Sequence, residues 1–342
     1  MMFAAQQVTD DQQGPAVAQD LDRARNRTIL PIFGHSGSIA QKKTLSGSFI
    51  ELDGPRTEPI ISSINLYRYV KERKEQMNHS QTGQVTQSAA EIYEGFFIPA
   101  LFREWPDRII AAANIQAGQR VLDVACGTGI LARAVAERVG PTGSVIGLDI
   151  NEGMLTMAKR KAPNIEWKHG RAESLPFEDN TFDTVVSQFG LMFFENRLAA
   201  IHEMSRVLRP GGQLAIAVWG ALEKTPGYAA MAALLERLFG SETAEALHAP
   251  YSLGDLEVLL PLFDDPNLQN IKVATIDGTA RFPSISAWVF TEIKGWTLSD
   301  SIDEAQYQHL LEEAEKELQP FVRVDHAVTF PTPAYIVTAT RK

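Results

Sequence analysis

A single cysteine, Cys126, stands in the 342 residues. That excludes an internal disulfide and a cysteine-rich zinc site, and it fits a reducing compartment. Positive charge is also scarce. Lys and Arg number 32 against 42 Asp and Glu, for a net charge of −10, which argues against a protein that neutralises many phosphates. No apolar run approaches the roughly 20 residues of a membrane span. The opening MMFAAQQVTDDQQG has neither a basic n-region nor a long apolar core, so it does not read as a secretory signal. No His/Asp/Glu cluster shows metal-ligand spacing, and no internal repeat or low-complexity tract is present. The expectation is a cytoplasmic protein acting on a small molecule, without nucleic acid, membrane span or metal, and compatible with a homodimer.

What is present falls into two parts. Residues 1–80 are polar, with short apolar runs. IAQKKTLSGSFIELDGP reads as a small hairpin and TEPIISSINLYRYVKERKEQ as one amphipathic helix, with disorder an equal reading. They are expected to form an N-terminal extension, and Met77 is an alternative translation start to Met1. Over 81–342 the pattern becomes periodic. Ser88-Ala-Ala-Glu91 reads as a capping box opening a helix that Pro99 and Pro106 interrupt. Strands then alternate with helices from QRVLDVA to GQLAIAVW. The alternation predicts an α/β fold, Rossmann-like and doubly wound, whose mostly parallel sheet carries helices on both faces. Ligands of such sheets bind at the C-terminal edge of the strands. After Trp219 come helices at YAAMAALLERLF and LGDLEVLLPLF and a strand at LQNIKVATID. A helical insertion over 283–319 then precedes the last strand, AYIVTATR, and is placed to cap a substrate site. Within it EEAEKEL reads as a solvated helical face, with Leu310, Leu311, Ala314 and Leu318 turned inward.

The chemistry concentrates in VLDVACGTGILA, Val121–Ala132. An apolar strand broken by Asp123 runs into Gly127 and Gly129, whose freedom at positive φ permits a tight turn into a helix. Gly127, Gly129 and Ala132 fit G-x-G-x-x-G/A, the dinucleotide fingerprint, and about 20 residues on Asp149 ends the strand VIGLD. A carboxylate there can accept hydrogen bonds from ribose hydroxyls, which nicotinamide dinucleotides and S-adenosylmethionine (SAM) both possess. Asp123 separates the two, because a charge near the end of a buried strand needs a partner.

The pattern D-x-A-x-G-x-G resembles motif I of the class I SAM-dependent methyltransferases, usually D/E-x-G-x-G-x-G, with Ala125 in place of the first glycine. GRAESLPFEDNTFDTVVSQFGLMFF is similar to that family's stretch from the adenine-contacting loop into strand four, and RVLRPGGQLAIAVW to its turn into strand five. The resemblance covers roughly Ser88 to Trp219. It is closest to the small-molecule branch that includes the ubiquinone and menaquinone C-methyltransferases. It implies SAM as cofactor, held by Asp123, Ala125, Cys126, Gly127, Thr128, Gly129 and Asp149. By the same resemblance Ile150 and Met154 flank the adenine or ribose, Ala172 and Glu173 lie beside the adenine, and Gln188 ends strand four at the ligand edge. Arg171 stands where the family often has Asp; a guanidinium cannot accept the adenine amino hydrogen, so another group must.

Tyr93, Phe189, Met192 and Phe193 are candidates to line the acceptor site, and Trp288, Phe290 and Trp296 either form a lid or pack the insertion. Cys126 has no local base and reads as structural rather than nucleophilic. His169 and His202 read as surface or hydrogen-bonded histidines. The expected reaction is in-line transfer of the SAM methyl to a small, apolar or aromatic acceptor, with positioning as the protein's main contribution. Which of C, N, O or S receives the methyl, and the identity of any general base, are not readable. Two rivals remain at this point: an NAD(P)-dependent oxidoreductase, for which GTGILA and Asp149 speak, and a noncatalytic SAM-binding protein.

Overall fold

The computed structural model describes residues 87–295, 298 and 302–342. The hairpin and helix expected within residues 1–80, and Trp296, lie outside these residues. The described chain opens with α1, Gln87–Ile92, which widens into a π-helix over Tyr93–Phe102. Pro99 therefore does not break this segment. It sits inside the π-helix, where a missing N–H and a displaced ring are accommodated by the wider turn. Pro106 falls in the first turn of α2, Trp105–Ala112, where a proline removes no needed donor.

The alternating core follows: β1 (Arg120–Val124), α3 (Ile130–Val139), β2 (Ser144–Asp149), α4 (Glu152–Lys161), β3 (Glu166–His169), β4 (Phe182–Gln188), α5 (Arg197–Val207) and β5 (Leu208–Trp219). The C-terminal third contributes α6 (Pro226–Phe239), α7 (Ser241–His248), α8 (Leu256–Leu259), β6 (Leu268–Ile276), β7 (Thr279–Phe282), α9 (Ile285–Lys294), α10 (Glu304–Glu317), β8 (Val328–Pro331) and β9 (Ala334–Arg341). The helix expected over LGDLEVLLPLF is only α8 followed by a 3-10 turn, Leu260–Phe263. Pro261 cannot supply the N–H that would continue it.

Seven strands form one sheet in the order β3-β2-β1-β4-β5-β9-β6. Strands β1 to β5 pair in parallel, β9 runs antiparallel to β5, and β6 antiparallel to β9. The α/β expectation holds. Central strands β1 and β2 are buried at every residue but the first, as parallel strands covered on both faces must be. β6 is mostly exposed along its length and carries Lys272, in keeping with an edge strand. The expected RPGG turn is instead part of β5, which bulges against β4 between the Phe182 and Thr184 pairings. There Gly211 takes φ 79°.

Between β6 and β9 the chain makes a separate two-stranded ribbon, β7 with β8. α9 and α10 lie between its strands in the chain. Leu310, Ala314 and Leu318 are fully buried and Leu311 packs against the core, as the 3.6-residue period requires. In the main sheet, connections run to opposite sides of β1, toward β2 on one side and β4 on the other. The strand order thus reverses between β1 and β4, and a crevice opens outside their C-terminal ends.

Candidate functional site

Three carboxylate or amide side chains converge on that crevice because each ends a central strand: Asp123 near the end of β1, Asp149 on β2 and Gln188 on β4. Asp123 is fully buried, and neither of its carboxylate oxygens has a hydrogen-bond partner. Burial pushes its carboxyl well above the usual range, with the Ala132 amide opposing from outside hydrogen-bond geometry and nearby Asp149 adding to the rise. The Gln188 Oε1 is likewise buried and unpartnered. A buried orphan of this kind costs on the order of 1–3 kcal/mol and more when charged, so this end of the crevice asks for a donor or a cation.

The loop between β1 and α3 supplies the tight bend. Ala125, Gly127 and Gly129 all sit at positive φ, 59°, 54° and 83°. Ala125 is thus more than a small-for-small replacement. Its methyl is strained in a left-handed backbone that a glycine enters freely. Ala125→Gly is expected to stabilise the protein by up to about 1 kcal/mol, read as a higher midpoint in thermal or denaturant unfolding; a lower midpoint would show that the methyl's packing outweighs the strain. Gly129 is required twice over, since a Cβ there would strike the Trp167 ring. Trp167, on β3, fixes that ring by donating its indole N–H to the Ala162 carbonyl at 2.9 Å. Cys126 is buried inside the loop, where burial and the two aspartates hold its thiol protonated, so it is no nucleophile.

Asp149 braces the same loop from the next strand. Its Oδ2 accepts the Gly127 N–H and its Oδ1 the Asn151 N–H, each at 2.8 Å. Burial raises its carboxyl, while these amides and His169 oppose the rise. One lone pair on each oxygen remains for a ligand hydroxyl. Exposed Ile150, with Ala172 and Glu173, lines the adjoining crevice. Met154 lies half-buried in the first turn of α4, where its amide donates to Asn151. Glu173 accepts the Glu195 N–H at 3.0 Å and pairs with Arg171, whose other arm reaches Glu195 at 2.6 Å. His169 is exposed and bonds the Ile150 carbonyl, and exposed His202 stands 3.8 Å from Asp265.

The π-helix is tethered to the glycine loop. Glu94 accepts the Thr128 hydroxyl at 2.5 Å and pairs with Arg133 and Lys161, so one carboxylate ties the π-helix to the loop, α3 and α4. Beside it Tyr93 turns its ring onto Phe102 at 5.4 Å. Burial, Asp149, Glu94 and Asp123 all raise its hydroxyl above the ordinary value.

Next to the crevice is a second, apolar cavity. Tyr93, Phe102, Phe189 and Trp219 form its aromatic wall, and Tyr228, Tyr251 and Glu292 its far side. Phe189 takes φ 55°, a strained value for a phenylalanine, and is held there by stacking on Trp219 at 3.8 Å and edge-on against Trp105 at 5.2 Å. Half-exposed Phe193 borders both spaces and marks where they join. Met192 is buried in the turn Leu191–Phe193, and its backbone carbonyl accepts from Arg197 at 2.7 Å. Trp288 is no lid: it is fully buried among Phe282, Phe330 and Tyr228, as core. Phe290 packs on Phe96. A larger cleft lined by Arg120, Glu137 and Glu166 lies at the opposite, N-terminal end of the strands and holds none of these groups.

Glu94, Trp167, Trp219, Tyr228 and Glu292 escape a reading of the sequence. Only Glu292 leaves a trace there, as the lone acid in the apolar helix ISAWVFTEIK.

These features fit a cationic adenosyl ligand. The buried, unpartnered Asp123 carboxyl beside the glycine loop is completed by an ammonium or sulfonium, whose charge favours its ionised form. The fold is that of the α/β methyltransferases. Residues 75–230 match the ubiE/COQ5 methyltransferase family. The demethylmenaquinone methyltransferase of Staphylococcus saprophyticus is 34% identical over 190 residues, spanning 52% of this chain and 81% of that protein. That of Staphylococcus aureus strain JH9 is 32% identical over 218 residues, spanning 59% and 90%. A phosphoethanolamine N-methyltransferase 2 of Haemonchus contortus, solved with S-adenosyl-L-methionine, shares the fold with a TM-score of 0.51 at 19% identity, over 76% of this chain and 58% of that one. The chain belongs to the ubiE/COQ5 methyltransferase family and is a SAM-dependent enzyme acting on a small molecule. Nothing in these relationships supports a nicotinamide oxidoreductase.

Proposed function

We propose that this enzyme methylates a ring carbon of a hydroxylated, quinone-type aromatic acceptor, in its reduced form, of the class named in its staphylococcal relatives. The observation that carries the reading is the cavity itself: an apolar, aromatic lining from Phe102, Phe189 and Trp219 that also includes the polar groups of Tyr228 and Glu292. An aromatic lining suits an apolar ring, and a few polar groups within it can orient the ring's hydroxyls.

In this reading Asp123, Gln188 and the loop Ala125–Gly129 hold the amino acid portion of SAM, Asp149 takes the ribose hydroxyls, and Ile150 and Ala172 flank the adenine. Bound there, SAM supplies a methyl carbon already activated by its positive sulfur. The chain's own work is to orient and to exclude water. Phe193 and Tyr93 set the approach from cavity to crevice, and Glu94 locks the π-helix over the loop. The segment 283–319 covers the acceptor through α9, which carries Glu292. Among the described residues no helix is long and apolar enough to cross a membrane, and with one cysteine in the chain we place the enzyme in the cytoplasm.

The test is turnover of SAM with 1,4-dihydroxynaphthalene kept reduced, read by mass spectrometry. A product carrying one added methyl on carbon is expected. Methylation of amine or thiol acceptors, with none of the diol, would refute the assignment.

A further inference from the structure

Glu292 has no role in holding the cofactor, yet it is a carboxylate 2% exposed at the end of an apolar cavity. Its Oε1 accepts the Tyr228 hydroxyl at 2.5 Å. That bond joins α9 to α6 across 64 residues of chain. No ion pair reaches Glu292 among the described residues. Tyr228 and Tyr251 face it, Tyr93 shares the cavity from the π-helix, and the charges on neighbouring elements are engaged elsewhere: Lys294 lies over the Tyr307 ring, Glu91 pairs with Arg160, and Arg281 is exposed. The Thr332 hydroxyl, lining the same cavity, is buried without a partner. Such a carboxylate is costly to keep for packing alone.

We propose that Glu292, positioned by Tyr228, is the general base that takes the hydroxyl proton of the acceptor, an inference that rests on the hydroxylated-ring reading above. The acceptor O–H bond breaks, its electron pair stays on the ring oxygen, and the proton forms a new O–H bond on the Glu292 carboxylate. The ring carbon beside that oxygen gains the electron density to bond the methyl carbon as the methyl–sulfur bond breaks, its electron pair staying on the sulfur of S-adenosylhomocysteine; the ring carbon then gives up its hydrogen as a proton while the ring oxygen regains one, which restores the ring. The proton passes to solvent when the product leaves. Burial raises the Glu292 carboxyl to about 8, offset only in part by the Tyr228 hydroxyl and the Trp288 indole, which poises it near the operating pH of a general base.

The test compares wild type, Glu292→Gln and Tyr228→Phe with SAM and 1,4-dihydroxynaphthalene across pH, alongside S-adenosylhomocysteine affinity by calorimetry and thermal melts. Wild-type kcat should rise with pH through about 8. Glu292→Gln should lower kcat by about 100-fold or more, erase that limb, and leave S-adenosylhomocysteine affinity and folding intact; Tyr228→Phe should displace the limb. A halogenated diol already ionised at the assay pH should recover most of the lost rate. Retention of the wild-type rate and limb in Glu292→Gln overturns the inference, as does an equal loss for neutral and ionised acceptors, which marks a merely structural role. Wild type that binds S-adenosylhomocysteine but methylates neither diol overturns the acceptor reading, and the inference with it.

Discussion

Asp149→Ala is expected to weaken SAM binding by about 10- to 150-fold, the equivalent of the 1.5–3 kcal/mol of a hydrogen bond to a charged acceptor. The loss has two sources. In the proposed binding mode the ribose hydroxyls lose a charged acceptor, and the glycine loop loses its brace, because the carboxylate also receives the Gly127 and Asn151 amides at 2.8 Å. Asp149→Asn separates them: one amide oxygen can still accept, so affinity should fall less than in the alanine variant. Isothermal titration with SAM or S-adenosylhomocysteine reads both. Unchanged affinity in Asp149→Ala would mean that the crevice outside β1 and β2 is not where the cofactor binds.

The second large effect is on stability against pH. The Glu292 carboxyl stands at about 8 in the folded chain against an ordinary 4.5, chiefly through burial. A carboxyl raised by folding binds its proton more firmly in the native state. Its contribution is fully in place below 4.5 and is lost as pH climbs through about 8. The slope inside that window approaches about 1.4 kcal/mol per pH unit, and the whole change is on the order of 5 kcal/mol. Glu292→Gln has no proton to lose. Measured by denaturant unfolding, the stability of the glutamine variant relative to wild type should therefore grow between pH 5 and pH 8 and level off above. Asp123 and Asp149 are also raised, but they are present in both proteins and cancel in the difference. A flat difference across the window would show that Glu292 ionises as an exposed carboxylate does, and that α9 does not bury it.

The strand, glycine loop and helix of Val121–Val139 are legible in the residues themselves, because backbone period, glycine placement and a strand-ending acid are all encoded within one contiguous stretch. The same locality exposes Asp149, one crossover away. Pro99 misleads for the converse reason: a proline normally ends a helix, and only the packing around Tyr93–Phe102 allows a wider one. Trp288 misleads as well, since an aromatic in an insertion reads alike whether it faces a cavity or a core, and here it faces Phe282 and Phe330.

By itself the chain's order of residues determined the α/β alternation, the glycine bend and the two acids flanking it, all of them products of local period and backbone freedom. Tertiary structure alone decided that Asp123 is left without a partner, that Phe193 stands at the seam of two spaces, and that Glu292 meets Tyr228. Those facts depend on which faces of distant elements pack together, and side-chain burial is a property of the assembled layers rather than of any one segment.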